Sequence, residues 1–259
     1  MAIITILGSS SGMPGGERAT SGYLIEYNQT LTLFDCGSGV ARNFERLGFD
    51  YGKLGRIVIT HTHPDHVCEL PLVIQHVHLA AHANPNAKID PLEIFVPEEF
   101  EVPFNQMIRA MYVIPERLRV PLRISGYVPG RISEHPFPIE AIANKHLLPY
   151  GTDIQRLGLP NKLQSHSLKA RIGDAVILYS GDVGSFDDVR PHLTDCRLLI
   201  LETSHIDTGV VREYAEGRPE LKIVLTHITQ GDFAQGLGRE FGSCSSVVVA
   251  EDGMRLEVL

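Results

Sequence analysis

Tryptophan is absent from the 259-residue chain, and cysteine is scarce: Cys36, Cys68, Cys196 and Cys244 lie far apart with no C-x-x-C pair. Neither a disulfide framework nor a cysteine-ligated zinc site is expected, and a reducing cytoplasm fits best. No stretch approaches the roughly 18–20 consecutive apolar residues of a membrane-spanning helix. Residues 1–7 read as a short β-like run without a basic leader or cleavage site. No membrane partner is therefore expected, and the chain reads as soluble and unexported. Positive charge is also short, with 23 Lys and Arg against 31 Asp and Glu and a formal net charge of −8. Such a chain has no protein-wide positive field for a polyanion, so nucleic acid stays open as a partner but is not favoured.

What is present is 43% hydrophobic residues, enough for one large core, and the chain is expected to form a single domain over residues 1–259. Short apolar or β-branched runs recur between turn residues, at 2–7, 22–27, 31–35, 56–60, 92–96, 137–143, 167–172, 175–180, 198–202, 222–226, 246–250 and 254–258. Asn28-Gln29, Gly173-Asp174 and Asp252-Gly253 each separate two such runs and predict three β-hairpins. Helical spacing appears at 39–47, 70–82, 104–111, 209–216 and 231–241. Many strands with helices before, between and after them suggest helices packed outside two sheets. The proline- and arginine-rich segment 97–136 is expected to be a lid or insertion. Together with residues 147–164, it is where substrate choice is expected to lie.

Histidine is plentiful, with 12 residues, and its arrangement is the most informative feature. The run His61-Thr62-His63-Pro64-Asp65-His66 follows directly on a predicted strand. Three imidazoles and a carboxylate in six residues form a metal nest: His61 and His63 can converge on one ion while Asp65 and His66, opening the next helix, reach a second. Neutral imidazole and carboxylate suit zinc, manganese or iron. Later strand ends offer more donors. Asp182 closes the strand 175–180 and has two oxygens with which to bridge ions, and His227 follows the strand 222–226 as His61 follows its own. For the remaining histidine, His146 is preferred because it follows the run 137–143 and falls at the same sheet edge. His166 stands as the alternative, since counting back from the Gly173-Asp174 turn sets it opposite Gly181.

Other candidates read more plainly. His78 and His82 share a helix face with i, i+4 spacing, His76 lies on the same helix, and His135 and His192 sit beside prolines. The loop 9–16 lacks the lysine-serine ending of nucleotide-binding loops and is expected instead to overlook the metal edge. Arg109, Arg117, Arg119, Arg123 and Arg131 form either a solvated face or an anion-steering rim.

Taken in order, Leu7-Gly8-Ser9-Ser10-Ser11-Gly12-Met13-Pro14, Asp35-Cys36-Gly37, Thr60–His66 with Glu69-Leu70-Pro71, Tyr179-Ser180-Gly181-Asp182, Leu199–Thr203 and Leu225-Thr226-His227 resemble the metallo-β-lactamase superfamily. Within it they are similar to the branch that contains ribonuclease Z and the arylsulfatase-like and phosphodiesterase-like proteins. The resemblance implies an α/β four-layer αββα sandwich with a dinuclear metal site along one edge. It implies one ion at His61, His63 and His146, a second at Asp65, His66 and His227, with Asp182 shared and a hydroxide between two divalent ions, zinc first. It also implies that Asp65 orients the nucleophile or accepts a proton and that Asp35 orients a ligand histidine. Glu202 resembles the glutamate that works with a histidine on the leaving group. The nearby His205 does not match the ribonuclease spacing.

On this reading the chain is a metal-dependent hydrolase, first a phosphodiesterase acting on a small or modest anionic ester. A ribonuclease Z-type endonuclease for transfer-RNA 3′ ends is the alternative. Against it stand the negative charge and the lack of a glycine-proline-rich basic arm. Lactone or thioester hydrolysis and a non-catalytic metal-binding carrier are further alternatives, and a homodimer is compatible with the apolar helix after His66.

Overall fold

Along the run Leu198–Glu202, Leu198 and Ile200 pack into one apolar cluster while Leu199 and Leu201 pack into another. An extended backbone sends successive side chains to opposite faces, so this strand is covered on both sides. Ile57 and Val58 divide in the same way, as do Leu178 and Tyr179. The computed structural model, which describes residues 2–13, 16, 18–84, 90–229 and 233–258, turns this alternation into layers.

In chain order the elements are β1 (Ala2–Gly8), β2 (Gly22–Tyr27), β3 (Thr30–Phe34), α1 (Val40–Arg46), β4 (Leu54–Val58), α2 (Pro64–Val67), α3 (Leu70–Ala83), β5 (Leu92–Pro97), α4 (Glu98–Ala110), β6 (Leu122–Tyr127), β7 (Gly130–Ser133), β8 (Ile139–Ala143), α5 (Gly151–Leu157), β9 (His166–Ile172), β10 (Ala175–Tyr179), β11 (Leu198–Glu202), α6 (Thr208–Glu216), β12 (Lys222–Thr226), α7 (Phe233–Glu240), β13 (Val247–Val249) and β14 (Arg255–Glu257). Among the described residues the strands form two seven-stranded sheets, ordered β14-β1-β2-β3-β4-β5-β6 and β13-β12-β11-β10-β9-β8-β7. Each sheet is antiparallel at one end and parallel at the other, the parallel blocks being β3 to β6 and β10 to β13. Phe44 of α1, Val73 and Val77 of α3, and Phe104 and Ile108 of α4 cover the outer face of the first sheet. Val211 of α6 and Leu237 of α7 cover that of the second. Ile4, Ile6, Tyr23 and Phe34 meet Leu168, Ile177 and Ile200 between the sheets. The αββα sandwich is therefore present. No helix among the described residues is long and apolar enough to cross a membrane.

Three expectations change. Residues 97–136, read as a lid or insertion, are woven into both sheets: β6 pairs in parallel with β5 at the edge of the first, and β7 pairs antiparallel with β8 at the edge of the second. Tyr127 at the end of β6 donates from its hydroxyl to the Ile59 carbonyl at 2.6 Å. The buried Arg56 of β4 donates to Ser133 Oγ and to the carbonyls of His135 and Phe137, which ties the interior of the first sheet to the β7–β8 edge of the second. The helix expected at 104–111 begins at Glu98, with Pro103 inside it. Asp252-Gly253 does not join a hairpin, because β13 pairs with β12 and β14 with β1, in different sheets. The Asp252 carboxylate instead accepts from Ser9 N–H and Oγ–H, Ala19 N–H and Asn43 Nδ2–H, which fixes the crossing. Pro14 and the first two residues of the helix expected at 231–241 lie outside the described residues.

Candidate metal centre

Three strands break their alternation at the same edge by entering the left-handed backbone region directly or almost directly after their last residue. Asp35 follows β3 with φ 56°, Gly181 follows β10 with φ 56°, and His227 follows β12 with φ 54°. At Gly181 a Cβ would lie 2.8 Å from the His166 carbonyl oxygen, so glycine is required there. The other two are non-glycine residues held in a region that costs about 1–2 kcal/mol. The histidine run follows β4 at this edge. Pro64 opens α2, and α2 lies so close to the 35–37 turn that a Cβ on Gly37 would be 2.0 Å from the Asp65 carbonyl oxygen. Cys36 N–H donates to the His66 carbonyl at 2.7 Å, which ties the two turns together.

These turns bring together two groups of four side chains. His61, His63, His146 and Asp182 form one, and Asp65, His66, Asp182 and His227 the other, with donor atoms in each group within 4.8 Å of one another. His146 Nε2 is 3.1 Å from His63 Nδ1 and 3.7 Å from Asp182 Oδ2. His66 Nε2 is 3.3 Å from Asp182 Oδ1, and His227 Nε2 is 3.2 Å from Asp65 Oδ2 and 3.4 Å from Asp182 Oδ2. His166, the alternative to His146, lies elsewhere: its ring packs against Tyr127 at 4.8 Å and its Nδ1 is 3.3 Å from the Thr60 carbonyl.

The chemistry of these donors fits divalent cations. His66 Nδ1–H donates to Asp35 Oδ2 at 2.7 Å, so Nε2 is the atom it turns to Asp182. Thr60 Oγ1–H donates to the same Asp35 carboxylate, at 2.8 Å from Oδ2, and its oxygen accepts from His61 Nδ1–H at 3.1 Å. Ser204 Oγ–H donates to the His227 carbonyl and accepts from His227 Nδ1–H at 3.1 Å. In each case one ring nitrogen is held by the protein and the other is turned toward the cluster, the usual arrangement of an oriented metal ligand. His61 Nε2 and Asp182 Oδ1 are buried without a hydrogen-bond partner, as ligand atoms aimed at an ion would be.

Electrostatics agree. Burial, reinforced by the neighbouring His66, holds His61 neutral with its pKa far below the ordinary value, and burial pushes His146 down to about 4. Burial alone would raise the Asp182 carboxyl, but His227, His66 and His61 outweigh it and keep it ionised. For His66 burial is likewise outweighed, by Asp182 and Asp35, and the pKa rises. The site combines imidazoles that burial holds neutral, His61 and His146 among them, with an ionised carboxylate, the donor types that zinc, manganese or iron takes, and His66 would give up its proton to an ion.

Glu202 does not face the clusters. It is buried, accepts the amide protons of Ser204 and His205, and accepts from His205 Nδ1–H at 3.0 Å. His205 stands at the rim, with its ring 4.7 Å from that of His146. The loop after β1 runs along the same edge: Ser11 N–H donates to the Ile228 carbonyl, and a Cβ on Gly12 would lie 3.7 Å from Asp65 Oδ2. His78 instead accepts from Arg119 N–H, and His76 Nδ1 is 3.1 Å from the Tyr51 hydroxyl. Arg109, Arg123 and Arg131 are each ion-paired with a glutamate, which favours the solvated face over the steering rim. The roles of Thr60 and Ser204 were missed by sequence reasoning. For Thr60 its place directly before His61 was the available signal; for Ser204 there was none, since the threonine before His227, Thr226, pairs with the Tyr23 hydroxyl instead.

A sandwich with these two donor groups at one edge defines a class, and residues 15–147 match the metallo-beta-lactamase superfamily. The chain belongs to that superfamily. A ribonuclease Z from Nocardia farcinica is 31% identical over 146 residues, which are 55% of this chain and 45% of that one. The chain spans about half the length of the first curated relatives it matches. Among solved structures, the metallo-beta-lactamase fold protein YhfI from Bacillus subtilis matches with a TM-score of 0.72 at 20% identity, over 98% of each chain. A diphosphatase from the PhnP family matches with a TM-score of 0.71 at 17% identity, over 99% of this chain and 98% of that one. At such identities the likeness to solved structures is one of fold.

Proposed function

We propose that the chain is a metal-dependent phosphodiesterase acting on small or modest anionic esters. The observation that carries this reading is the pair of four-residue donor groups that share Asp182. His61, His63, His146 and Asp182 would hold one divalent ion, and Asp65, His66, Asp182 and His227 the second, zinc being the first choice. Ions bound there supply Lewis acidity toward a phosphoryl oxygen and draw the pKa of water toward neutrality.

The rest falls to the chain's own groups. Asp65, whose side chain keeps 13% exposure at the mouth, orients the attacking water and accepts its proton on the carboxylate. His205 serves the leaving group. Its hydrogen bond to Glu202 raises its pKa, and with Nδ1–H held by Glu202 the proton available for the departing oxygen is the one on Nε2. Glu202 acts through His205 and touches no reacting atom.

Ribonuclease Z activity is the second reading, favoured by the identity with the Nocardia relative. It concerns the same phosphodiester bond, but the net charge of −8 and the ion-paired arginines favour a smaller substrate. The test is hydrolysis of bis(p-nitrophenyl) phosphate by protein reconstituted with zinc or manganese, with precursor transfer RNA in parallel and Asp65→Ala as control. Metal-dependent turnover of the diester, lost in the control, supports the first reading. Preferred cleavage of the precursor RNA transfers the assignment to the second. Turnover of neither by protein holding two ions overturns both, in favour of lactone or thioester hydrolysis or a carrier role.

A further inference from the structure

Beside the donor groups lies a cavity of about 530 Å³, ordinary in size for a small-molecule site. Thr62 and His63 form its inner wall, and residues 147–163, including α5, form the outer one. Its apolar lining is Leu147, Tyr150, Ile154, Leu157, Leu159 and Leu163. The charged groups around it are already compensated. Arg156 donates to Asp153 at 2.7 Å, and the Glu99 carboxylate accepts the amide protons of Lys162 and Gln164, which pins the loop behind the cavity. Tyr150, Leu157 and Leu159 are 49%, 57% and 47% exposed, so apolar surface is left in water next to the site.

One imidazole separates the cavity from the donor groups. The His63 ring is 5.6 Å from the Tyr150 ring, edge to face, while its Nδ1 is 3.1 Å from His146 Nε2. A phosphorus centre at the donor groups would therefore send one of its substituents past His63 and into the cavity.

We propose that this cavity binds an apolar, ring-bearing substituent of the substrate, so that the chain acts on small phosphodiesters in which at least one alcohol is aryl or comparably apolar. The substrate half of this statement rests on the hydrolase reading, and the binding half does not. A ring in the cavity covers Leu157 and Leu159 and meets the Tyr150 face, gains that a sugar-phosphate chain would not make. A polyanion would find no uncompensated cation on this wall.

The test is calorimetric titration of the zinc-loaded protein with phenylphosphonate and methylphosphonate, which share an anionic head and differ by the ring. Phenylphosphonate is expected to bind tighter by about tenfold or more. Leu157→Asn, an uncharged change at an exposed position, is expected to remove that difference and leave methylphosphonate affinity unchanged. Equal affinities in the unmodified protein, binding of neither probe, or a preference that survives Leu157→Asn would each overturn the proposal. A ring preference without hydrolysis of any phosphodiester would keep the cavity assignment and overturn the phosphodiesterase reading. Diester hydrolysis without a ring preference would do the reverse.

Discussion

Thr60 Oγ1 donates to the Asp35 carboxylate at 2.8 Å, and this bond connects Asp35 to both donor groups at once. Asp35 holds His66 of one group directly, and through Thr60 it fixes His61 of the other. Thr60→Val removes the relay without changing the side-chain shape and frees His61 to adopt the wrong tautomer. Metal affinity is expected to fall by about tenfold, within the range seen when a partner of a ligand is lost. Thr60→Ser should restore it, and competition titration against a chelator reads both.

Asp182 has an oxygen within 4 Å of a nitrogen of His61, His66, His146 and His227. Asp182→Ala is expected to leave at most one ion per chain by elemental analysis. Two ions retained would show that the carboxylate is not shared.

His146→Ala should impair metal loading more than His166→Ala, because His166 packs against Tyr127 and the Thr60 carbonyl. The His166 change should appear in thermal stability instead. The reverse order of metal contents would make His166 the ligand.

Metal affinity should depend on pH in a definite direction. In the apo-protein Asp182 and Asp35 outweigh burial and raise the His66 pKa, and an ion requires the lone pair of its Nε2. Below that raised value loading must displace a proton, so affinity weakens as pH falls, by up to about tenfold per pH unit for one proton. Zinc titrations in buffers of different ionisation enthalpy measure the protons released. A flat profile between about pH 6 and 8 would contradict the argument.

Asp252 is a stability residue. Its carboxylate joins Ser9, Ala19 and Asn43 to the C-terminal crossing. Asp252→Ala leaves several donors without an acceptor and is expected to cost about 3 kcal/mol, read as a lower urea midpoint at unchanged slope.

The parts of the molecule legible in the sequence were those in which local pattern and tertiary role coincide. Strands covered on both faces, such as Leu198–Glu202, are continuously apolar, and the histidine run has little other physical use. β6 was not legible because it is an edge strand whose side chains alternate between half-covered and exposed, with Arg123 among them. Asp252-Gly253 has the chemistry of a hairpin turn, but turn residues do not state whether the flanking strands share a sheet. The choice between His146 and His166 needed the direction of side chains at two adjacent sites, since Ala143 pairs with His166 and both residues approach the same edge. Glu202 was visible, but its hydrogen bonds with His205 depend on a backbone turn that spacing alone does not reveal.

The division of donors between the two sheets bears on the order of assembly. His61, His63, Asp65 and His66 follow β4, whereas His146, Asp182 and His227 follow strands of the other sheet. Each ion would draw two side chains from either half of the sandwich. Neither half alone offers more than a weak, two-point grip, so capture has to wait until the halves have docked. A cation would then act as a rivet through the finished sandwich, its binding energy added to the stability of the folded state alone. Acquisition of an ion would thereby discriminate between complete and incomplete chains before any chemistry begins.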